Sequence, residues 1–175
     1  MTSELKNVLD ILGRTPAVLD ALLRQLPDEW THRNEGPDTW SPYDVMGHLI
    51  HGEKTDWIPR MNIMLSDAAE RRFEPFDRFA QLSGSRDPAL EDLLDEFRTL
   101  REANIAGLRS RILTEDDLER TGIHPELGTV TLRQLITTWV VHDLDHISQI
   151  VRVLASHHKE GVGPWQAYLR IVTDE

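Results

Sequence analysis

The feature that most restricts what this chain can fold into is a hydrophobic period of 3.6 residues that runs through almost its whole length. It is plainest in TLRQLITTWVVHDLDHISQIVRVLASH, residues 131–157. Apolar residues recur there at intervals of three and four, the pattern of a helix with one face to bury. Thr131 and Gln134 form the S/T-x-x-E/Q pair that closes a first turn, so a helix is expected from Thr131 to about His157.

Three more stretches carry the same period behind conventional helix starts. Thr15-Pro16 reads as N-cap and first helical residue, with Val18, Leu19, Leu22, Leu23 and Leu26 on one face. In SPYDVMGHLIHGE, Ser41 caps, Pro42 takes the first helical position, and Asp44 is an acid in the first turn, where the helix dipole favours it. That helix should reach about Trp57, with Pro59 breaking, kinking or restarting it. A third begins at Asp87-Pro88 and runs through Leu90, Leu93, Leu94, Phe97, Leu100 and Ile105 toward Leu113. Four amphipathic helices with little strand signal predict an all-α fold, a four-helix bundle with short extra helices.

Between these helices, residues 66–87 form a polar connection carrying Phe73, Phe76 and Phe79. Residues 119–130 are rich in turn formers and hold at most a short hairpin. The closing VGPWQAYLRIV is expected to be a short fifth helix opened by Pro164, packing Trp165, Tyr168 and Leu169 on the bundle. A length of 175 residues suits one core, so residues 1–175 are read as a single domain.

Composition removes several functions. With 30 acidic against 19 basic residues the net charge is -11, a surface that repels phosphate backbones and disfavours nucleic acid. No apolar run approaches the roughly 18 residues of a membrane span, so no membrane association is expected. The first residues, MTSELKNVLD, lack an apolar segment ending in a cleavage site, which makes a cytoplasmic location the expectation. The absence of cysteine excludes disulfides, thiolate ligands and a protein-borne thiol nucleophile.

The chemistry sits in VVHDLDHISQI, residues 140–150. His142 and His146 are one helical turn apart, about 6 Å along the axis, so both rings can reach one ion. The order H-D-x-x-H is one methylene short of the H-E-x-x-H of zinc proteases. A protease needs a third ligand further on, and ISQIVR offers neither Gly nor His. Asp143 is read as a catalytic residue that orients a neighbouring imidazole or acts as a weak general base, or else as a solvated acid. On the second helix, His48 falls on the inward face with Val45, where an unpaired polar ring is costly unless hydrogen-bonded or metal-bound. Asp44, one turn earlier, is positioned to accept the proton of its second ring nitrogen, or merely serves the helix dipole. His51, three residues on, is a further polar neighbour.

Trp40-Ser41-Pro42-x-Asp44-Val45-x-x-His48-Leu49, followed by His142-Asp143-x-x-His146-Ile147-x-Gln149-Ile150 and a closing Gly163-Pro164-Trp165-x-x-Tyr168-Leu169, resembles the DinB-like superfamily of small helical proteins. This family is distinct from the DNA polymerase of the same historical name. The resemblance implies a bundle of up-down-down-up topology, commonly homodimeric, with His48, His142 and His146 as metal ligands.

Three neutral ligands leave the full charge of a divalent transition metal, zinc or nickel foremost, free to acidify water or polarise a substrate. The family's known activities imply a thiol S-transferase that activates a low-molecular-weight thiol for attack on a small electrophile. A hydrolase using bound water, or a metal-binding stress-response bundle without turnover, would employ the same residues. As neutral imidazoles, the ligands are expected to release metal below about pH 6.

Overall fold

The computed structural model describes residues 3–83 and 88–173. In chain order the helices are α1 (Ser3–Leu12), α2 (Thr15–Leu23), α3 (Asp28–Thr31), α4 (Pro42–Thr55), α5 (Trp57–Leu65), α6 (Leu90–Arg109), α7 (Glu115–Leu118), α8 (Leu132–Ser156) and α9 (Lys159–Val162). Between α7 and α8, strands β1 (Thr121–His124) and β2 (Gly128–Thr131) pair antiparallel, with Thr121 opposite Thr131.

The capping chemistry read from the sequence sets the two helices that matter most. Ser41 accepts from the Asp44 N–H at the start of α4, and Asp44 returns the bond to the Ser41 backbone. Thr131 and Gln134 make the same reciprocal pair at the start of α8. Pro59 restarts rather than kinks its helix: α4 stops at Thr55 and α5 carries Pro59 in its first turn, where a missing N–H costs nothing.

The direction of each helix follows from which residues meet. Tyr43 Oη donates to the Pro88 carbonyl, Arg101 and Asn104 donate to Glu53, and Arg111 donates to Asn62. Numbers rise together, so α6 runs parallel to α4 and α5. Arg24 bonds Asp95 while Arg98 bonds Asp20, which makes α2 and α6 antiparallel. His48 meets His142 and Glu53 meets Trp139, so α4 and α8 are antiparallel too. Glu4 pairs with Arg133 and Thr15 with Asp143, setting α1 and α2 parallel to α8. The four arms of the bundle therefore run up, down, down, up, and the parallel pair demands the long crossing between Leu65 and Leu90.

Every arm changes company at one level. One apolar cluster holds Leu12, Trp57, Ile105 and Trp139; the other holds Leu19, Leu49, Leu94 and Ile150. Between them lie the buried polar residues Thr15, Glu53, Arg101 and Asp143, and beside that layer sit His48 and His146.

Several expectations are corrected. The first arm is broken in two, with α1 preceding α2. Thr15 is no cap but a buried hydroxyl donating to Asp143, and Val18 is 40% exposed rather than packed. The third long helix starts at Leu90 behind Ala89; Asp87 lies outside the described residues. The C-terminal segment is a 3-10 turn over Gly163–Tyr168, with Trp165 70% and Tyr168 79% exposed, while Val172 supplies the buried contact. Phe73 belongs to the core: its ring fits against Gly122, where an added Cβ would lie 2.5 Å from it.

Candidate metal centre

His48 is delivered by the second turn of α4 and His142 and His146 by adjacent turns of α8, and the antiparallel packing of those helices brings the three rings together. His142 Nε2 lies 3.1 Å from His48 Nε2 and 3.2 Å from His146 Nε2. Three nitrogens on a tetrahedral zinc at about 2.05 Å would stand about 3.3 Å apart, so the spacing fits one ion. Among the described residues this is the group of ligand-type side chains that could share a metal, one ring nitrogen from each lying within 4.8 Å of the others.

The second ring nitrogens support the same orientation. Gln149 Oε1 lies 2.8 Å from His146 Nδ1, so a proton there is donated to the amide oxygen and the Nε2 lone pair faces the cluster. The His48 ring lies against the Arg78 backbone, and among the described residues neither its buried Nδ1 nor that of His142 has a hydrogen bond of ordinary geometry. Asp44 is therefore not the partner of His48; its carboxylate is taken up by the Ser41 N–H and hydroxyl.

Burial and then the neighbouring His146 push His48 down to about 4, and burial and the other two rings push His142 down to about 3. Burial also lowers His146, against the opposing pull of its Gln149 bond. All three are neutral imidazoles at pH 7, the form that ligates.

Aromatic rings wall the cluster. Trp40 lies 4.8 Å from the His48 ring and stacks at 15° over His146, while Phe76 meets His48 edge-on at 5.5 Å. Trp57 abuts His142 at 5.1 Å. An open depression of about 600 Å³ on the outer face of α8, bordered by Glu4, Arg133, Thr137, Val141 and Asp145, reaches His142 but not the other two rings.

Other titratable side chains stand apart from the cluster. His51 stays outside the cluster, its Nε2 3.4 Å from the Thr55 hydroxyl. His124 accepts from the Glu126 and Leu127 N–H groups and shapes the hairpin turn. Asp143 is not the solvated acid its position suggested. It is fully buried, and its carboxylate accepts two bonds from Arg101 and one from Thr15, with no imidazole among its partners. Arg101 and Glu53, its neighbours in that layer, escaped the sequence reading. The available signal was a charge standing at core spacing, Arg101 between Phe97 and Ile105 and Glu53 between Leu49 and Trp57.

Comparison with known proteins settles the family. A model of the DinB superfamily matches residues 11–150, four-fifths of the chain and both ligand-bearing helices. The chain belongs to the DinB superfamily. Among solved structures it is similar to YfiT from Bacillus subtilis, described as a probable metal-dependent hydrolase with an unusual four-helix bundle topology. The two share 19% identity over 91% of this chain and 90% of that one, with a TM-score of 0.74, which establishes the shared fold. Among curated proteins nothing matches. Within this DinB-superfamily bundle no helix of the described residues is long and apolar enough to cross a membrane.

Proposed function

We propose that this protein is a metal-dependent hydrolase of a small substrate. The observation that carries the reading is the convergence of three neutral imidazoles from two helices, with no fourth ligand beside them among the described residues. Structural zinc sites are normally closed by four protein ligands, whereas catalytic ones keep a position open. A divalent ion held by His48, His142 and His146, zinc or nickel, would acidify a water and polarise a substrate oxygen.

The chain's own side chains supply the setting. Gln149 fixes the His146 ring, Trp40 and Phe76 cover the His48 side, and the open depression beside His142 gives a small molecule a side from which to approach. Proton transfer does not fall to Asp143, because its carboxylate has no solvent exposure and is held by Arg101 and Thr15. The description of YfiT as a probable metal-dependent hydrolase supports the same reaction class.

Thiol S-transfer is a second reading of the same histidines. The absence of cysteine favours it in one respect, since no protein thiol competes for the ion. Elemental analysis and turnover test both. Purified protein is expected to carry about one metal per chain, lost in His48→Ala, His142→Ala and His146→Ala. Ester and amide hydrolysis should stop with chelator and return with zinc or nickel. Turnover that appears only when a low-molecular-weight thiol is added would move the assignment to the transferase. Metal retained by His48→Ala would remove the site itself.

A further inference from the structure

The layer that divides the core is charged, and stability gives no reason for it. Arg101 is wholly buried, donating from Nη1 to Asp143 Oδ2 at 2.5 Å and from Nη2 to Asp143 Oδ1 at 3.0 Å and Glu53 Oε1 at 2.8 Å. Its Nη1 also reaches the Leu12 carbonyl at 3.0 Å. Glu53 in turn accepts from Trp139 Nε1 at 3.0 Å and Asn104 Nδ2 at 2.9 Å, and Thr15 Oγ1 donates to Asp143 at 2.7 Å. Phe97 and Trp139 flank the guanidinium. A buried ion triad of this kind is often no more stabilising than apolar residues of the same volume, so its presence calls for a role other than stability.

Its position supplies that role. Asp143 directly follows His142 on α8 and stands three residues before His146; Glu53 is five residues beyond His48 on α4. One guanidinium from α6 therefore ties together the two helices that carry every ligand. A second route reaches the same ring: Glu53 holds Trp139, Trp139 stacks on Trp57 at 5.6 Å, and Trp57 abuts His142. The triad's formal charge is one negative, two carboxylates against one guanidinium, in a layer adjoining three neutral ligands.

We infer that Arg101, Glu53 and Asp143 are positioning residues for the three histidines: they fix the spacing of α4 against α8 and provide a buried negative charge that favours a divalent cation. The inference rests on the metal reading given above. Its direct consequence is that metal affinity and stability respond differently to changes in the triad. Glu53→Gln and Asp143→Asn keep shape and remove one charge each, and Arg101→Lys keeps charge but loses the two-pronged grip.

The test is zinc titration calorimetry on metal-stripped protein, paired with thermal melts of the same stripped samples. Leu5→Ala, in the apolar cluster away from the layer, serves as the control for destabilisation alone. Zinc affinity should fall by about tenfold or more in Glu53→Gln, Asp143→Asn and Arg101→Lys, and stay at the wild-type value in Leu5→Ala even where its melting temperature drops as far. Should Asp143→Asn fail to fold, Glu53→Gln decides the matter, since Arg101 keeps its paired carboxylate. Zinc affinities within twofold of wild type in the folded triad variants would overturn the inference and leave the metal site standing. Wild-type protein that binds no zinc or nickel would instead overturn the metal reading.

Discussion

A proton on His146 Nδ1 has an acceptor 2.8 Å away, and that bond to Gln149 decides which nitrogen faces the other two rings. Among the described residues His142 Nδ1 has no such partner, and His48 has only the Arg78 backbone beside it, so His146 is the ligand whose ring is tied to a side chain. Gln149→Leu should therefore weaken zinc binding by about tenfold, because it strands the Nδ1 proton and lets the ring rotate. Gln149→Glu, which offers a stronger acceptor, should bind at least as tightly as wild type. Chelator-competition measurements of zinc affinity check both, and an unchanged Leu variant would show that packing by Trp40 holds the ring instead. The histidines themselves were legible because ligation needs a particular residue type at a particular turn spacing. Gln149 was only half legible, since an amide one turn after His146 could equally have served a neighbouring helix.

At the scale of elements, the connection between α5 and α6 does two jobs that its sequence does not distinguish. Phe73 is drawn into the core by the backbone bridge of its neighbour Arg72 to Ile123, its own N–H donating to the Ile123 carbonyl, and by the space that Gly122 leaves for its ring. Phe76, three residues on, reaches His48 and His51, and Phe79 is 59% exposed beside Trp40. Phe73→Ala should cost about 3–5 kcal/mol in urea unfolding and leave zinc affinity near wild type in the folded protein. Phe76→Ala should cost under about 2 kcal/mol and weaken zinc binding, since it opens the His48 ring to water. Equal effects of the two substitutions on both quantities would contradict this division. The long helices were legible because capping and periodicity are local. Ser41 with Asp44 and Thr131 with Gln134 declare their turns within four residues. The break between α1 and α2, the exposure of Val18 and the fates of the three phenylalanines depend on what lies opposite in space. Arg101 and Glu53 were hidden for a related reason: a charge in an apolar stripe has meaning only once its partner on another helix is known.

Across the whole molecule, the cluster makes folding and metal binding share one pH dependence. Burial holds His48 near 4 and His142 near 3 and lowers His146, while the same residues in an unfolded chain titrate near 6.5. From about a pH unit above 6.5 both states carry neutral rings, and the cluster adds almost no slope. As pH falls below that, the unfolded chain takes up protons that the native protein refuses, so stability drops until the folded values are reached. Each ring contributes up to about 1.4 kcal/mol per pH unit in that window. Urea unfolding of the metal-stripped protein should thus give a small difference between pH 8 and 7, under about 0.5 kcal/mol, and a clear loss between pH 6 and 5. His142→Leu should flatten that loss by one ring's share. The same depression moves metal release below the pH 6 suggested by free imidazole: occupancy should persist at pH 5 and disappear only near or below pH 4, where His48 itself protonates. Elemental analysis after dialysis at each pH checks the second half. Stripped protein as stable at pH 5 as at pH 7 would show that the rings meet water in solution, and zinc lost already at pH 6 would show that the nitrogens do not converge.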